Sequence, residues 1–262
     1  MRTSRRRAAA AVHGAAAAIL AAGGLLAAQG AGAAAADGSP PAFAKVALSP
    51  SYGVVLPTVA SPPAVLTLRA RVTDATGADQ VFFGLYDPAG LRPDGRTVPA
   101  ALTTGTVQEG TWTATVSLPR DSPVGIWSVR AFATDLAANM SEPDVVYATL
   151  PVRHKTRFIG FDVRPEPTTS GDPLTFAGKL QRYKPGTGWV AYGGKKVYVY
   201  FKKEGGTAFV KVATRTTDAS GAFGEGPPKS QGPGAWRMSW VGNDQRAPAT
   251  SHADTILAPP PA

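Results

Sequence analysis

Cysteine is absent from all 262 residues, which excludes a disulfide framework, a thiolate metal site and a thiol nucleophile at once. Apolar burial alone has to hold the fold. Histidine is scarce, with three in the chain. None of them stands in an H-E-x-x-H pair or beside a G-x-S-x-G turn, and there is no G-x-x-x-x-G-K-[ST] loop, so the zinc-peptidase, serine-hydrolase and nucleotide-binding signatures are missing. Both His154 and His252 fall in segments that read as solvated. No pair of acids sits on an inward strand face, and no helical periodicity competes with the strand pattern. Acidic residues are missing altogether from Ala8 to Ala36.

That acid-free stretch follows four arginines, Arg2, Arg5, Arg6 and Arg7. Together they read as a secretion leader: a positive start, an apolar segment from Ala15 to Ala28, and small residues at Ala31-Gly32-Ala33 or Ala34-Ala35-Ala36 for cleavage. The apolar segment is interrupted by glycine and falls short of the about 18 to 20 residues that cross a bilayer. The predicted signal peptide is residues 1–36, with Asp37 first in a mature chain that lacks a membrane span and is secreted or held at the cell wall. Larger apolar residues are missing after the arginines, which favours the general secretory route over twin-arginine export.

About 226 residues then remain, enough for two domains of ordinary size. Residues 37–152 carry 7 Lys+Arg against 10 Asp+Glu, whereas residues 153–262 carry 16 against 8. Outside a cell, a basic half of this kind meets anionic envelope polymers more readily than nucleic acid, which is not an expected partner. Period-2 alternation marks strands throughout: Leu66, Leu68, Ala70 and Val72 against threonine and arginine, then runs around Phe83, Trp112, Trp127 and Leu150. Later strands are expected at 158–163, 174–180, 195–203, 209–217, 235–241 and 253–257. Turn residues such as Asp74-Ala75-Thr76-Gly77 and Glu204-Gly205-Gly206-Thr207 separate them. The fold class is therefore all-β, as two tandem immunoglobulin-like β-sandwich domains. They are expected at 37–152 and 157–258, joined by a short polar linker at 153–156 and followed by a proline-rich tail at 259–262.

Residues 156–257, with Phe158-Ile159-Gly160-Phe161, Pro165-Glu166-Pro167, Gly178-Lys179-Leu180, Gly194-Lys195-Lys196-Val197-Tyr198, Thr217-Asp218-Ala219-Ser220-Gly221-Ala222-Phe223 and the segment from Trp236 to Asn243, resemble a sandwich domain common in secreted actinobacterial proteins. Residues 43–150 more loosely resemble bacterial immunoglobulin-like modules, whose strand ending in Ala-x-Asp is followed by a turn finishing in Gly-Asn. Here the turn is Asp135-Leu136-Ala137-Ala138-Asn139, with alanine where glycine is usual, and Ala138 disfavours a turn with positive φ. Both resemblances imply architecture and no reaction, so the chain is not expected to be an enzyme or to need a cofactor.

Two groups of residues could carry chemistry. Asp74, Asp79, Asp135 and Asn139 offer hard oxygen donors for calcium, which extracellular sandwiches often bind between modules; the structural reading is that Asp74 and Asp135 close Asx-turns. The strand from Lys195 to Lys203 presents Lys196, Tyr198, Tyr200 and Lys202 on the face opposite Val197, Val199 and Phe201. Rings and ammonium groups in such a stripe suit an anionic glycan or wall polymer; the bland alternative is tyrosine as a strand former and lysine guarding a sheet edge. Trp112, Trp127, Trp236 and Trp240 have inward parity and read as core. Trp189 and Tyr192, in the glycine-rich segment 186–194, are further ligand-binding candidates. The expected role is a secreted binding or structural spacer protein at the bacterial cell surface, its partner an anionic polymer, a glycan or another surface protein. A calcium-stabilised adhesion module is the alternative, and an accessory domain of an envelope hydrolase a third reading.

Overall fold

The computed structural model describes residues 38–59, 62–91, 97–223 and 228–257. The predicted leader and the proline-rich tail lie outside them. The first eight strands are β1 (Ala42–Ser49), β2 (Val54–Val55), β3 (Ala64–Thr73), β4 (Ala78–Tyr86), β5 (Val98–Gly105), β6 (Glu109–Leu118), β7 (Gly125–Asp135) and β8 (Val146–Arg153). They pair in the order β1-β3-β6-β5-β4-β7-β8-β2. β5 makes the closure: Val98 to Ala100 pair with β4, and Ala101 to Gly105 pair with β6. The run β1-β3-β6-β5 and the run β4-β7-β8 are the two layers of an immunoglobulin-type strand order. β2 adds to β8 as a parallel edge.

Alternation explains which face is buried. Leu66, Leu68, Ala70 and Val72 of β3 meet Val81, Phe83 and Leu85 of β4 and Trp127, Val129, Ala131 and Ala133 of β7 in one apolar cluster. The alternate residues of β3 and β7 include Thr67, Arg69, Arg71, Ser128, Arg130 and Thr134 on the outer face, where Phe82 of β4 also stacks on Phe132 of β7. Trp127 fills the centre, and its indole N–H donates to the Pro123 carbonyl at 2.9 Å, so this buried donor is satisfied.

The remaining strands are β9 (Thr156–Arg164), β10 (Thr175–Lys184), β11 (Gly188–Ala191), β12 (Lys196–Lys203), β13 (Val210–Thr216), β14 (Gly234–Trp240), β15 (Ala249–Thr250) and β16 (Asp254–Ile256). One sheet runs β11-β10-β9 and another β13-β12-β14-β15, with β16 also on β14. Their inner faces share a second apolar cluster, including Phe161, Val163, Leu180, Val197, Val199, Phe201, Trp236 and Met238. A bulge in β10 falls at Gly178, where φ is +123° and an added Cβ would sit 2.8 Å from the Phe223 ring and 3.0 Å from two carbonyls of β9. Only glycine serves there.

The polar linker differs from its solvated reading. His154 is 5% exposed, because the loop after β14 folds over it. His154 N–H donates to the Gln245 carbonyl at 3.0 Å, and Ala247 N–H donates back to the His154 carbonyl at 2.9 Å. The Arg153 guanidinium reaches the Asn243 carbonyl at 2.8 Å, and the Thr156 hydroxyl reaches that of Ala247 at 2.6 Å. The segment between β8 and β9 is thus tied by hydrogen bonds and an isolated bridge from His154 to Arg246. His252 is exposed and rests edge-on against Phe161.

Candidate functional site

β12 carries the alternation expected of it: Val197, Val199 and Phe201 are buried, while Lys196 is exposed and Tyr198, Tyr200 and Lys202 are half-buried on the other face. Its place in the sheet corrects one expectation. β12 is flanked by β13 on one side and β14 on the other, so its lysines guard no edge. Two more strands therefore contribute to the same surface. Tyr200 lies opposite Lys211 of β13 and opposite Arg237 of β14, and directly opposed residues of antiparallel strands share a face. Tyr198 lies opposite Thr214 and Ser239. No carboxylate occupies a register position on this face; Glu204 follows at the hairpin turn.

The cations are laid on the rings. Lys211 Nζ sits 4.8 Å from the centroid of the Tyr198 ring. Arg237 Cζ is 3.9 Å from that of Phe209 and 5.6 Å from that of Tyr200, and Lys202 Nζ is 5.5 Å from that of Phe209. Each contact falls in the range where the ring quadrupole attracts a cation. Among the described residues the ion pairs are Arg71–Glu109, Arg130–Asp144 and Arg164–Asp162, and none involves this face. Arg237 Nε is buried with no hydrogen-bond partner. The result is a plane of four cations, Lys196, Lys202, Lys211 and Arg237, around three rings. Sequence reasoning reached β12 and missed Lys211, Arg237 and Phe209, whose membership depends on register across strands.

Trp189 and Tyr192 stand apart from this plane. Trp189 lies in β11, stacked under the Arg157 guanidinium at 4.1 Å and met edge-on by Tyr183. Tyr192 is 5% exposed and packs edge-on against Trp240 with ring centroids 5.2 Å apart. It is a core residue, which corrects its reading as a ligand contact: its N–H donates to the Leu180 carbonyl at 3.0 Å and its carbonyl accepts from the Thr217 hydroxyl at 2.8 Å, and its ring joins the second apolar cluster. Trp112, Trp127, Trp236 and Trp240 are buried as their parity indicates.

Of the calcium candidates, the structure brings together Asp74, Asp135 and Asn139, and leaves Asp79 exposed at a bulge of β4. Asp74 Oδ1 accepts from the backbone N–H groups of Thr76 and Gly77 at 2.9 and 2.7 Å and from the Thr76 hydroxyl at 2.7 Å. Asp135 Oδ1 accepts from Ala137 and Asn139 N–H, and its Oδ2 accepts from the Asn139 amide at 2.8 Å and the Thr76 hydroxyl at 3.2 Å. Burial works to raise the Asp135 carboxyl, but these hydrogen bonds outweigh it and hold the group below the usual 3.8. The carboxylates are thus engaged as turn closures. They also lie at the end of β3 and β7 away from Arg153, since the start of β7 is what pairs with the end of β8. Among the described residues no group of three or more acidic or histidine side chains is placed to hold a metal ion.

Ala138 overturns its expectation. Its φ is +65°, the left-handed region, and it is the sole non-glycine so placed among the described residues. The Asp135 carboxylate, accepting from the N–H groups on either side, holds the turn in the shape that glycine gives without strain.

No protein-family model matches the chain, and no curated protein is significantly similar to it. Among solved structures, it is similar to the tetra-tandem repeat in the extending region of a large adhesion protein, at 19% identity and TM-score 0.29 over 81% of this chain and 50% of that one. It is also similar to the full ectodomain (Ig1–Ig3) of mouse nectin-like molecule 4, at 12% identity and TM-score 0.24 over 85% of this chain and 64% of that one. The chain thus spans between half and two thirds of those chains, and neither likeness assigns a ligand. No helix among the described residues is long and apolar enough to cross a membrane.

Proposed function

We propose that the chain is an exported, non-enzymatic protein of two tandem immunoglobulin-like modules, residues 37–152 and 157–258, that binds and spaces at the bacterial cell surface through its basic second module. The observation that carries this reading is the plane of Lys196, Lys202, Lys211 and Arg237 on the outer face of the five-stranded sheet, interleaved with aromatic rings and free of ion pairs among the described residues. A cationic face of this kind, left without an ion pair among the described residues, attracts a polyanion. The hydrogen-bonded joint at His154 supports the spacing role, because a linker tied into a neighbouring loop holds two modules in one register and transmits reach along the chain.

The test is co-sedimentation with purified bacterial cell wall. Wild-type protein is expected to sediment with the wall at low salt and to be released as salt rises past the point where the Debye length falls below about 10 Å. A Lys196→Glu/Lys202→Glu variant is expected to stay in the supernatant, and retention of that variant at the wild-type level would remove the basic face from the mechanism.

A further inference from the structure

Resting on that reading, we infer that the ligand of the β12–β13–β14 face is a linear phosphodiester polymer of the bacterial wall, lying along β12 and contacting four cations through successive phosphates. The geometry selects a linear partner. Lys196 and Lys202 stand six residues apart on one strand, about 20 Å at the usual rise per residue, and Tyr198 and Tyr200 lie between them on the same face. Lys211 and Arg237 flank Tyr200 from the two neighbouring strands. The cations therefore form a band as long as several monomers of a polymer and one strand wide on either side of its axis. A band of that shape suits a chain laid flat, and a compact anion would meet one or two of its charges at a time.

The residue types suit phosphate. Three of the four cations are lysines, which act as point charges with rotatable donors and suit the single, delocalised charge of a phosphodiester. The one arginine, Arg237, offers a planar fork that pairs with phosphate as well as with carboxylate. Tyrosine hydroxyls between the lysines can donate to non-bridging phosphate oxygens. Pre-positioning matters as well. Lys202, Lys211 and Arg237 are held against rings, so less side-chain freedom remains to be lost when the polymer binds.

Salt dependence gives the experiment a count. For a single-stranded phosphodiester chain the slope of log K against log salt is about −0.7 per neutralised phosphate, so four contacts predict a slope of about −3 and roughly a 50-fold weakening between 50 and 200 mM salt. Binding of the full chain to poly(glycerol phosphate) is measured by calorimetry or fluorescence anisotropy at several salt concentrations, with polygalacturonate as the parallel arm. Lys202→Gln/Lys211→Gln is expected to halve the slope to about −1.4 and to weaken binding at low salt by about fivefold per lysine, with a melting midpoint no lower than that of the wild type. Equal or tighter binding to polygalacturonate overturns the phosphate assignment. A slope that the variant leaves unaltered overturns the placement on this face. Retention on whole wall with no binding to poly(glycerol phosphate) overturns the inference while leaving surface attachment intact. Polymer binding without wall retention supports the inference and defeats the attachment reading.

Discussion

Replacing Ala138 with glycine is expected to stabilise the protein. An L-residue in the left-handed region costs about 1–2 kcal/mol relative to its right-handed alternative, and Ala138 is held there at φ +65°. Glycine removes that cost and adds freedom to the unfolded chain, which returns about 0.4–1 kcal/mol in the opposite direction. The net expectation is a gain of about 0.5–1 kcal/mol. Its side effects are small, because Asp135 closes the turn through the backbone N–H groups of Ala137 and Asn139, which glycine at 138 leaves in place. In a scanning calorimeter the gain should raise the melting midpoint by about 2–5 °C if the first sandwich melts by itself, and by about 1–3 °C if the whole of residues 37–262 melts together. Urea titration should show a higher midpoint at unchanged slope. The neighbouring Ala137→Gly serves as the control: its φ is negative, so it should lose about 0.4–1 kcal/mol. A lowered midpoint for Ala138→Gly, or equal effects at 137 and 138, would refute the account of this turn.

Four further outcomes are expected. His154 is held down to about 4 from an ordinary 6.5, by burial first and by the Arg246 charge second; the fold favours its neutral form, so its stabilisation is complete above pH 6.5 and lost as pH falls through 4. The melting midpoint of wild type should decline over that window, and His154→Gln should flatten the decline; parallel profiles would contradict it. A separate loss should begin below about pH 3.8, where Asp172 and Asp218, both held below that value by neighbouring hydroxyl groups, take up protons. Trp236→Ala, at a fully buried position, should cost about 3–5 kcal/mol in denaturant titration, and a cost under 1 kcal/mol would mean the second cluster is packed otherwise. Millimolar calcium should leave the midpoint where it is, because the Asp74 and Asp135 oxygens already accept several donors; a rise would show a site there that binds the folded state.

Where both faces of a strand are distinct, the alternation was enough to read it. β3, β6, β7, β12 and the Trp236–Trp240 run of β14 alternate inward and outward, so their core residues, the four buried tryptophans and the outward stripe of β12 all follow from spacing. β5 and β11 were silent because their residues are exposed or half-buried on both sides; they are held by pairing to neighbours, and pairing leaves no period in the sequence. The same cause hid half of the candidate face. Lys211 sits beyond an irregularity in the β12–β13 register, which shifts it onto the outer surface opposite Tyr200, and Arg237 reaches that surface only through the pairing of β14 with β12. Burial of His154 was hidden differently, since the loop that covers it comes from ninety residues further along the chain.

Cations crowded on one plane repel one another, and at a separation of 10 Å two unit charges in a surrounding of effective dielectric 20 oppose each other by about 1.7 kcal/mol. Dispersing them would stabilise the free protein, yet Lys196, Lys202, Lys211 and Arg237 remain together while four acids nearby in sequence are engaged elsewhere: Asp162 on Arg164, Asp172 and Asp218 on turn hydroxyls, Asp254 on the Val163 N–H. Rings between the cations reduce the cost without removing the charge, because a quadrupole attracts a cation and leaves its field available beyond the ring. A sheet face that only needed to be wet could have carried mixed charge. Thr214→Glu, opposite Tyr198, therefore separates the two purposes: it should raise the melting midpoint by relieving repulsion while weakening polymer binding. A variant that lost both stability and binding would show that the outer plane is a packing surface whose charge is incidental.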